Sequence, residues 1–416
     1  MLPEQGMSKD DVIAALSAMR VNDVRWQDGK TFGMIYDAGP EVHEVIEAVA
    51  PLFVHDNALN TMAFPSLGQI QREVVAATAS LLHGPHTASG FMTSGGTESI
   101  LMAVKSARER GRSERGIGAP NLVLAESAHA AFHKGGHYFG LEIRKVPVRE
   151  DFKADVGAMA NAVDENTVLV VGSAPQYPQG VIDPINEIAA LAADVGANMH
   201  VDACMGGFVL PFMEMNGEEL PPWDFRVEGV TSISADIHKL GYAPKGASVI
   251  VHRTKELRKY QTFVFDGWLG GFYASPSMQG TRAGLPMALA WAVMHTLGIE
   301  GYRRLVAETI EARRTMVAGI RDIEGVDVLG KPEAQIVAIA AAPGFEDPVD
   351  IFAVGDAMRE RGWFHDRQGP PDSLHATVSA GNVMVIGDYL RDLRESVANM
   401  LGERASDRST NYATLE

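Results

Sequence analysis

Residues 168–203 read VLVVGSAPQYPQGVIDPINEIAALAADVGANMHVDA. The stretch opens on a short apolar, branched run at 168–173 and crosses a loop rich in Pro and Gly. It then takes helical spacing over 185–195 and closes on a second apolar run at 199–203. Working outward, strand-like runs lie at 121–125, 231–235 and 248–252, with helical stretches at 67–83, 128–139 and 156–163. After the turn at 93–98, Ile100, Leu101, Val104 and Ala107 recur at helical spacing. Strands alternating with helices predict an α/β fold whose central sheet is mostly parallel and covered on both faces.

The flanks read differently. Ser8 is placed to cap a helix with Val12, Ile13, Leu16 and Met19 on one face, and a Gly-punctuated loop follows at 28–40. Beyond residue 300 come a long helix at 301–323, strands at 326–329 and 335–340, a helix at 349–361, a strand at 375–379 and a last helix at 383–400. The expected organisation is an arm and substrate-side loop over 1–60, a large domain over 61–300, a smaller C-terminal α+β domain over 301–405 and a polar, frayed tail over 406–416.

The 416 residues carry 36 Lys+Arg against 53 Asp+Glu, a formal charge of −17, which disfavours binding to nucleic acid or anionic membranes. One cysteine excludes a disulfide framework and a Cys-rich metal centre, and implies a reducing compartment. The N-terminus is polar and acidic where a secretory signal would be basic then apolar. The most apolar long stretch, 283–299, holds Pro286 and His295 and reads as a buried helix rather than a membrane span. A soluble cytoplasmic protein is expected.

Four candidate residues sit where strands stop: His129 after 121–125, Tyr177 after 168–173, Asp202 near the end of 199–203 and Lys239 after 231–235. In an open parallel sheet those carboxyl ends form one rim, where ligands bind. Lys239 alone is as easily a surface lysine, but burial would lower its pKa and free an amine for imine formation. Asp202 without Lys239 reads better as a helix cap or an internal ion pair, but a protonated pyridine nitrogen would also satisfy it. Gly95, Gly96 and Thr97 can offer backbone N–H groups to a phosphate at a helix start, although taken alone an ordinary Gly-rich turn into a capped helix is the better reading. His129, His133 and His137 are spaced i, i+4, i+8, but Ala130 stands where a zincin needs Glu, and no metal is expected. Together, an anion loop, a ring-stacking group, a carboxylate and an imine lysine describe a pyridoxal phosphate site.

The segments TSGGTESI (93–100), SAHAAF (127–132), GVIDP (180–184), HVDACMGGF (200–208), DFRVEGVTSISAD (224–236), His238-Lys239, GYAPKG (241–246) and YASP (273–276) resemble sphingosine-1-phosphate lyases. These belong to the aspartate-aminotransferase-like, fold type I pyridoxal phosphate enzymes, near the group II decarboxylases. The resemblance spans about residues 2–399. It implies that Lys239 carries pyridoxal 5'-phosphate, that His129 stacks on its ring, and that Asp202 pairs with the ring nitrogen. Gly96, Thr97 and His238 would hold the phosphate, and Gly280 and Thr281 would reach the cofactor of the other subunit in a homodimer. Tyr36, Tyr177 and Lys245 would line the substrate side. The implied reaction is retro-aldol cleavage of a phosphorylated long-chain amino alcohol to an aldehyde and phosphoethanolamine, with Lys239, Lys245 or Tyr177 relaying protons. One departure stands out: the family's Asn-Pro-Leu-His-Pro-Asp reads here Asn57-Ala-Leu-Asn60-Thr-Met62, and Asn60 cannot carry a histidine's charge to a phosphate. Amino-acid decarboxylation on the same cofactor residues, with Arg282 as carboxylate clamp, is the alternative. A fold retained for assembly without catalysis is a third reading, disfavoured by Lys239, Asp202 and His129 together.

Overall fold

Seven strands build the main sheet: β1 (Ser89–Thr93), β2 (Asn121–Ala125), β3 (Glu142–Val146), β4 (Thr167–Ser173), β5 (Asn198–Asp202), β6 (Val230–Ala235) and β7 (Ser248–His252). Their spatial order is β1-β7-β6-β5-β4-β2-β3. Neighbouring pairs from β6 to β3 run parallel, and β7 alone is antiparallel to both of its neighbours. This is a computed structural model, and it describes residues 2–410. The strand run at 168–173 and the helix at 185–195 appear as β4 and Ile185–Asp194. Both β4 and β5 are buried throughout, as strands covered by helices on both faces must be.

Two strands of this sheet lack the apolar runs that mark the others. β1 is SGFMT, and its Gly90 is required by packing, because a Cβ there would stand 2.6 Å from the Ile250 carbonyl oxygen. β3 is EIRKV, an edge strand whose charged residues keep it in water. The helix Pro40–Phe53 also escaped the sequence reading, because it buries only Val42 fully.

A second, antiparallel sheet has the order β10-β11-β13-β12, from β10 (Val326–Val328), β11 (Ile336–Ala341), β12 (Asp366–Gln368) and β13 (Ser373–Thr377). Helices Ile351–Glu360 and Ile386–Asn399 contribute to its core around Phe352, Trp363 and Tyr389. Phe32 comes from the N-terminal segment yet is buried in that core, packed edge-on against Tyr389 with ring centroids 4.9 Å apart. The expected helices at 283–299 and 301–323 run through Gly284–Arg321 and bend at Gly298, whose φ of 55° suits glycine. Part of the polar tail is docked rather than frayed: Arg408 pairs with buried Asp350 at 2.6 Å, and 411–416 lie outside the described residues. Among the described residues no helix is long and apolar enough to cross a membrane.

Ser8 does cap the helix Lys9–Met19, accepting from the Asp11 N–H at 3.2 Å. Its apolar face is left uncovered: Val12, Ile13, Leu16 and Met19 are all exposed. A hairpin of β8 (Phe263–Phe265) and β9 (Tyr273–Ser275) likewise holds Trp268, Leu269 and Phe272 in solvent. Apolar surface presented by two separate elements of one chain calls for a cover.

Candidate active site

The sheet's carboxyl ends do converge. Ser94, Gly95, Gly96 and Thr97 follow β1, His129 follows β2, Asp202 ends β5, and Asp236, His238 and Lys239 follow β6; all line one cavity of about 280 Å³. Chain segments as much as 145 residues apart (94 to 239) meet there because parallel strands all end on one rim.

Lys239 is largely buried, and its Nζ lies 3.0 Å from Asp236 Oδ2, a carboxylate only 1% exposed. Burial pushes the Asp236 carboxyl up, but the Lys239 ammonium and the contact with His238 outweigh it and hold the acid well below its usual range. Asp236 carries no family-implied role, although its position three residues before Lys239, past a strand end, is a readable signal.

Asp202 accepts from the Cys204 N–H at 3.1 Å and from Ser234 Oγ at 3.3 Å, both at Oδ1. Oδ2 therefore remains for a donor in the cavity, as a ring nitrogen requires. His129 Nδ1 accepts from the Ala131 N–H at 3.1 Å, so its proton is on Nε2. Desolvation lowers its pKa, the Asp202 charge opposes that, and the Lys239 charge adds to it. A neutral imidazole is the form suited to stacking on an aromatic ring. His238 Nδ1 likewise accepts, from Gly246 N–H at 3.1 Å, leaving Nε2–H on the cavity side 3.6 Å from Asp236.

The anion end is the start of helix Gly96–Arg115, where the first amides have no intrahelical acceptor. Gly95 is the N-cap and no side chain caps it; Glu98 instead turns back to Ser94 N at 2.6 Å and Ser94 Oγ at 2.7 Å. A Cβ on Gly96 would stand 2.7 Å from Asp236 Oδ2 and 2.8 Å from Cys204 Sγ, so only glycine lets the helix start come this close. An acceptor opposite a ring nitrogen, amides and His238 Nε2–H for a phosphate, and a buried lysine between them fit pyridoxal phosphate.

On the far side of His129, Tyr177 lines a second cavity of about 310 Å³ together with Asp366. Tyr177 donates to Asp366 Oδ2 at 2.8 Å, a partner 189 residues away that no local pattern singles out. Tyr36 and Lys245 share a third concavity that also touches His238, and the Lys245 ammonium sits 4.9 Å over the Tyr36 ring. Desolvation, reinforced by the Lys239 charge and opposed by the Asp236 carboxylate, lowers Lys245 to about 8. It donates to the His238 carbonyl at 3.1 Å.

Four expected residues lie elsewhere in this chain. Asn60 is exposed and closes its own turn, accepting from Met62 N–H at 2.9 Å. Gly280 and Thr281 are exposed and line none of these cavities, and Thr281 Oγ1 donates to Asn57 at 3.2 Å. Arg282 corrects the clamp expectation: it bonds Gln71 at 2.7 Å and the Met92 carbonyl at 3.3 Å, over the Phe91 ring, and does not line the Lys239 cavity. The metal-like spacing of His133 and His137 also leads outward, with His133 half-buried and His137 exposed.

The profile of the pyridoxal-dependent decarboxylase conserved domain matches residues 2–341. Sphingosine-1-phosphate lyase of Oryza sativa is 43% identical over 404 residues, covering 95% of this chain and 74% of that protein. Sphingosine-1-phosphate lyase 1 of Rattus norvegicus is 41% identical over 96% of this chain and 70% of its own. This chain belongs to the sphingosine-1-phosphate lyase family of pyridoxal-dependent enzymes. The solved structure of the Burkholderia pseudomallei sphingosine-1-phosphate lyase superposes with a TM-score of 0.91 at 39% identity, over 96% of this chain and 92% of that one. The fold reaches further: Lactobacillus brevis glutamate decarboxylase, 19% identical, has a TM-score of 0.83 over 97% of this chain and 95% of its own. The architecture is therefore fold type I, and pyridoxal phosphate is the cofactor.

Gly96→Ala tests the phosphate cradle. The added methyl collides with Asp236 and Cys204 and moves the helix start outward. Cofactor affinity, measured by fluorescence titration of the apoprotein, is expected to fall about tenfold or more with the circular dichroism spectrum unchanged. Wild-type affinity would show that the helix start does not hold the phosphate.

Proposed function

We propose that this chain is a pyridoxal phosphate-dependent carbon–carbon lyase. Its substrate would be a phosphorylated long-chain amino alcohol, cleaved to a long-chain aldehyde and phosphoethanolamine. The observation that carries the reading is the convergence of Lys239, Asp202, His129 and the Gly96 helix start on one cavity, in a chain 43% identical to a sphingosine-1-phosphate lyase over 95% of its length.

The bound cofactor supplies an electron sink for the pair released by the breaking bond. The chain's own residues do the rest. Lys239 provides the amine that anchors the cofactor, and Asp236 beside it fixes where that amine sits. Asp202 Oδ2 would accept from the ring nitrogen and keep a proton there, which strengthens the sink. Neutral His129 would cover one ring face. Lys245, exposed beside Tyr36, offers positive charge to the substrate phosphate at the mouth. With Lys245 near 8, the phosphate is held less firmly as pH rises through that value. Tyr177, held by Asp366 next to His129, is placed to handle the substrate hydroxyl. The decarboxylase alternative is not favoured: Arg282 is engaged with Gln71 and Met92 in its own chain.

A homodimer fits the surface. The uncovered helix face at Val12, Ile13, Leu16 and Met19, and the hairpin residues Trp268, Leu269 and Phe272, are apolar surface for a second copy to cover. Gly280 and Thr281 follow that hairpin, exposed, where a partner's cofactor phosphate could meet them. A cytoplasmic location fits the single cysteine, a buried free thiol.

Two measurements decide. Incubating the holoenzyme with a phosphorylated sphingoid base is expected to release a long-chain aldehyde and phosphoethanolamine in equal amounts. Carbon dioxide release from amino acids without aldehyde from the sphingoid base would contradict the lyase reading. In sedimentation equilibrium the chain of 44.8 kDa is expected to run at twice its mass, and Leu269→Asp to weaken that association. A fully active monomer would contradict the dimer.

A further inference from the structure

We infer that Asp366 is a positioning residue that acts on the substrate through Tyr177, taking up the phenolic proton as Tyr177 receives one from the substrate's hydroxyl. The inference rests on the lyase reading and deepens it.

The geometry is assembled from two sheets. Tyr177 lies in the loop after β4, in the main sheet, whereas Asp366 opens β12, the edge strand of the second sheet. The loop is fixed to that sheet by contacts with three residues. Tyr177 Oη donates to Asp366 Oδ2 at 2.8 Å. The Tyr177 ring stacks on His375 with centroids 3.9 Å apart and planes 18° apart, and His375 Nε2 lies 3.1 Å from the Tyr177 carbonyl oxygen. Gln368 Nε2 donates to the Pro178 carbonyl at 2.6 Å. His375 is itself the register partner of Asp366. The phenol is thus held in one orientation, with Tyr177, Asp366 and His129 lining one cavity. Pre-organisation of this kind is what a proton-transfer group needs.

The groups around Asp366 leave its charge without a cation of its own. Tyr177 faces it from the β4 loop and His375 from β13, and His129 and Glu126 face it across the cavity. On its own strand, His365 is buried against Tyr389 at 3.0 Å and Arg367 is paired with Asp356. Burial lowers both His365 and His375 to about 3, so neither is a cation near neutrality. Burial also raises the Asp366 carboxyl, opposed by the Tyr177 hydrogen bond. A carboxylate so placed is a better proton acceptor than one in water.

The step balances without a co-reactant. The substrate's O–H bond breaks and a new O–H bond forms at Tyr177, while the original Tyr177 proton passes to Asp366 Oδ2. The hydroxyl oxygen becomes the aldehyde oxygen, and the electron pair of the broken carbon–carbon bond stays with the amine-bearing carbon. Asp366 must be ionised to receive the proton, so activity falls as pH drops through its raised pKa.

Asp366→Asn in the holoenzyme tests this. It keeps the shape and can still bond Tyr177, but it cannot take the proton. We expect kcat to fall about ten- to a hundredfold with little change in KM. We expect the acid limb of the kcat–pH profile to disappear and Asp366→Glu to restore it. A second readout needs no substrate: the ultraviolet titration difference between the wild type and Tyr177→Phe reports the Tyr177 phenol. Without the neighbouring carboxylate that ionisation should move to lower pH in Asp366→Asn. A uniform loss of kcat with the acid limb intact, or an unmoved phenol titration while aldehyde is still released, would overturn the role of Asp366. Carbon dioxide in place of aldehyde from the wild type would instead overturn the lyase reading, and the hydroxyl step with it.

Discussion

A buried lysine beside a buried carboxylate is the constraint on which this site is built. Lys239 Nζ and Asp236 Oδ2 stand 3.0 Å apart where water scarcely enters. Either charge alone in such a place would be destabilising by several kcal/mol. Paired, they hold the amine at one point on the rim of the sheet. Gly96 then lets the helix start approach the same carboxylate, and His238 completes the ring around it. Lys239 and the helix start would hold the cofactor's aldehyde and phosphate ends, with Asp202 and His129 placed to meet the ring between them.

The sheet order makes that arrangement possible. With β5 and β6 adjacent and parallel, Asp202 and the turn carrying Asp236, His238 and Lys239 are delivered to neighbouring positions. β2 and β4 bring His129 and Tyr177 to the same edge. The second sheet contributes little to the cofactor's cradle but supplies the wall beyond it, through Asp366 and His375. The two layers meet at the Tyr177 loop.

Much of this was legible in the residues themselves. The runs at 121–125, 168–173 and 248–252 are apolar because both faces of their strands are covered, and they were found almost to the residue. The rim residues His129, Asp202 and Lys239 followed from the strand ends. Strands β1 and β3 were not legible, since one opens on Ser89 and Gly90, the glycine admitting a close backbone, and the other is charged for an edge. Tyr177 could be read as a rim residue, yet its partner Asp366 could not. No local pattern links two residues that meet only when one sheet docks on another. Arg282 shows the same limit: its sequence position does not reveal that packing engages it with Gln71, Met92 and Phe91.

The central claim is a covalent one, that the cofactor's aldehyde is held by the amine of Lys239. Reducing the holoenzyme with borohydride and mapping the modified peptide by mass spectrometry tests it most directly. The account predicts a single pyridoxyl group on Lys239, within the segment from Ile237 to Lys245. A label on Lys245 or on any other lysine, or no label on a protein that retains its cofactor and turnover, would contradict it.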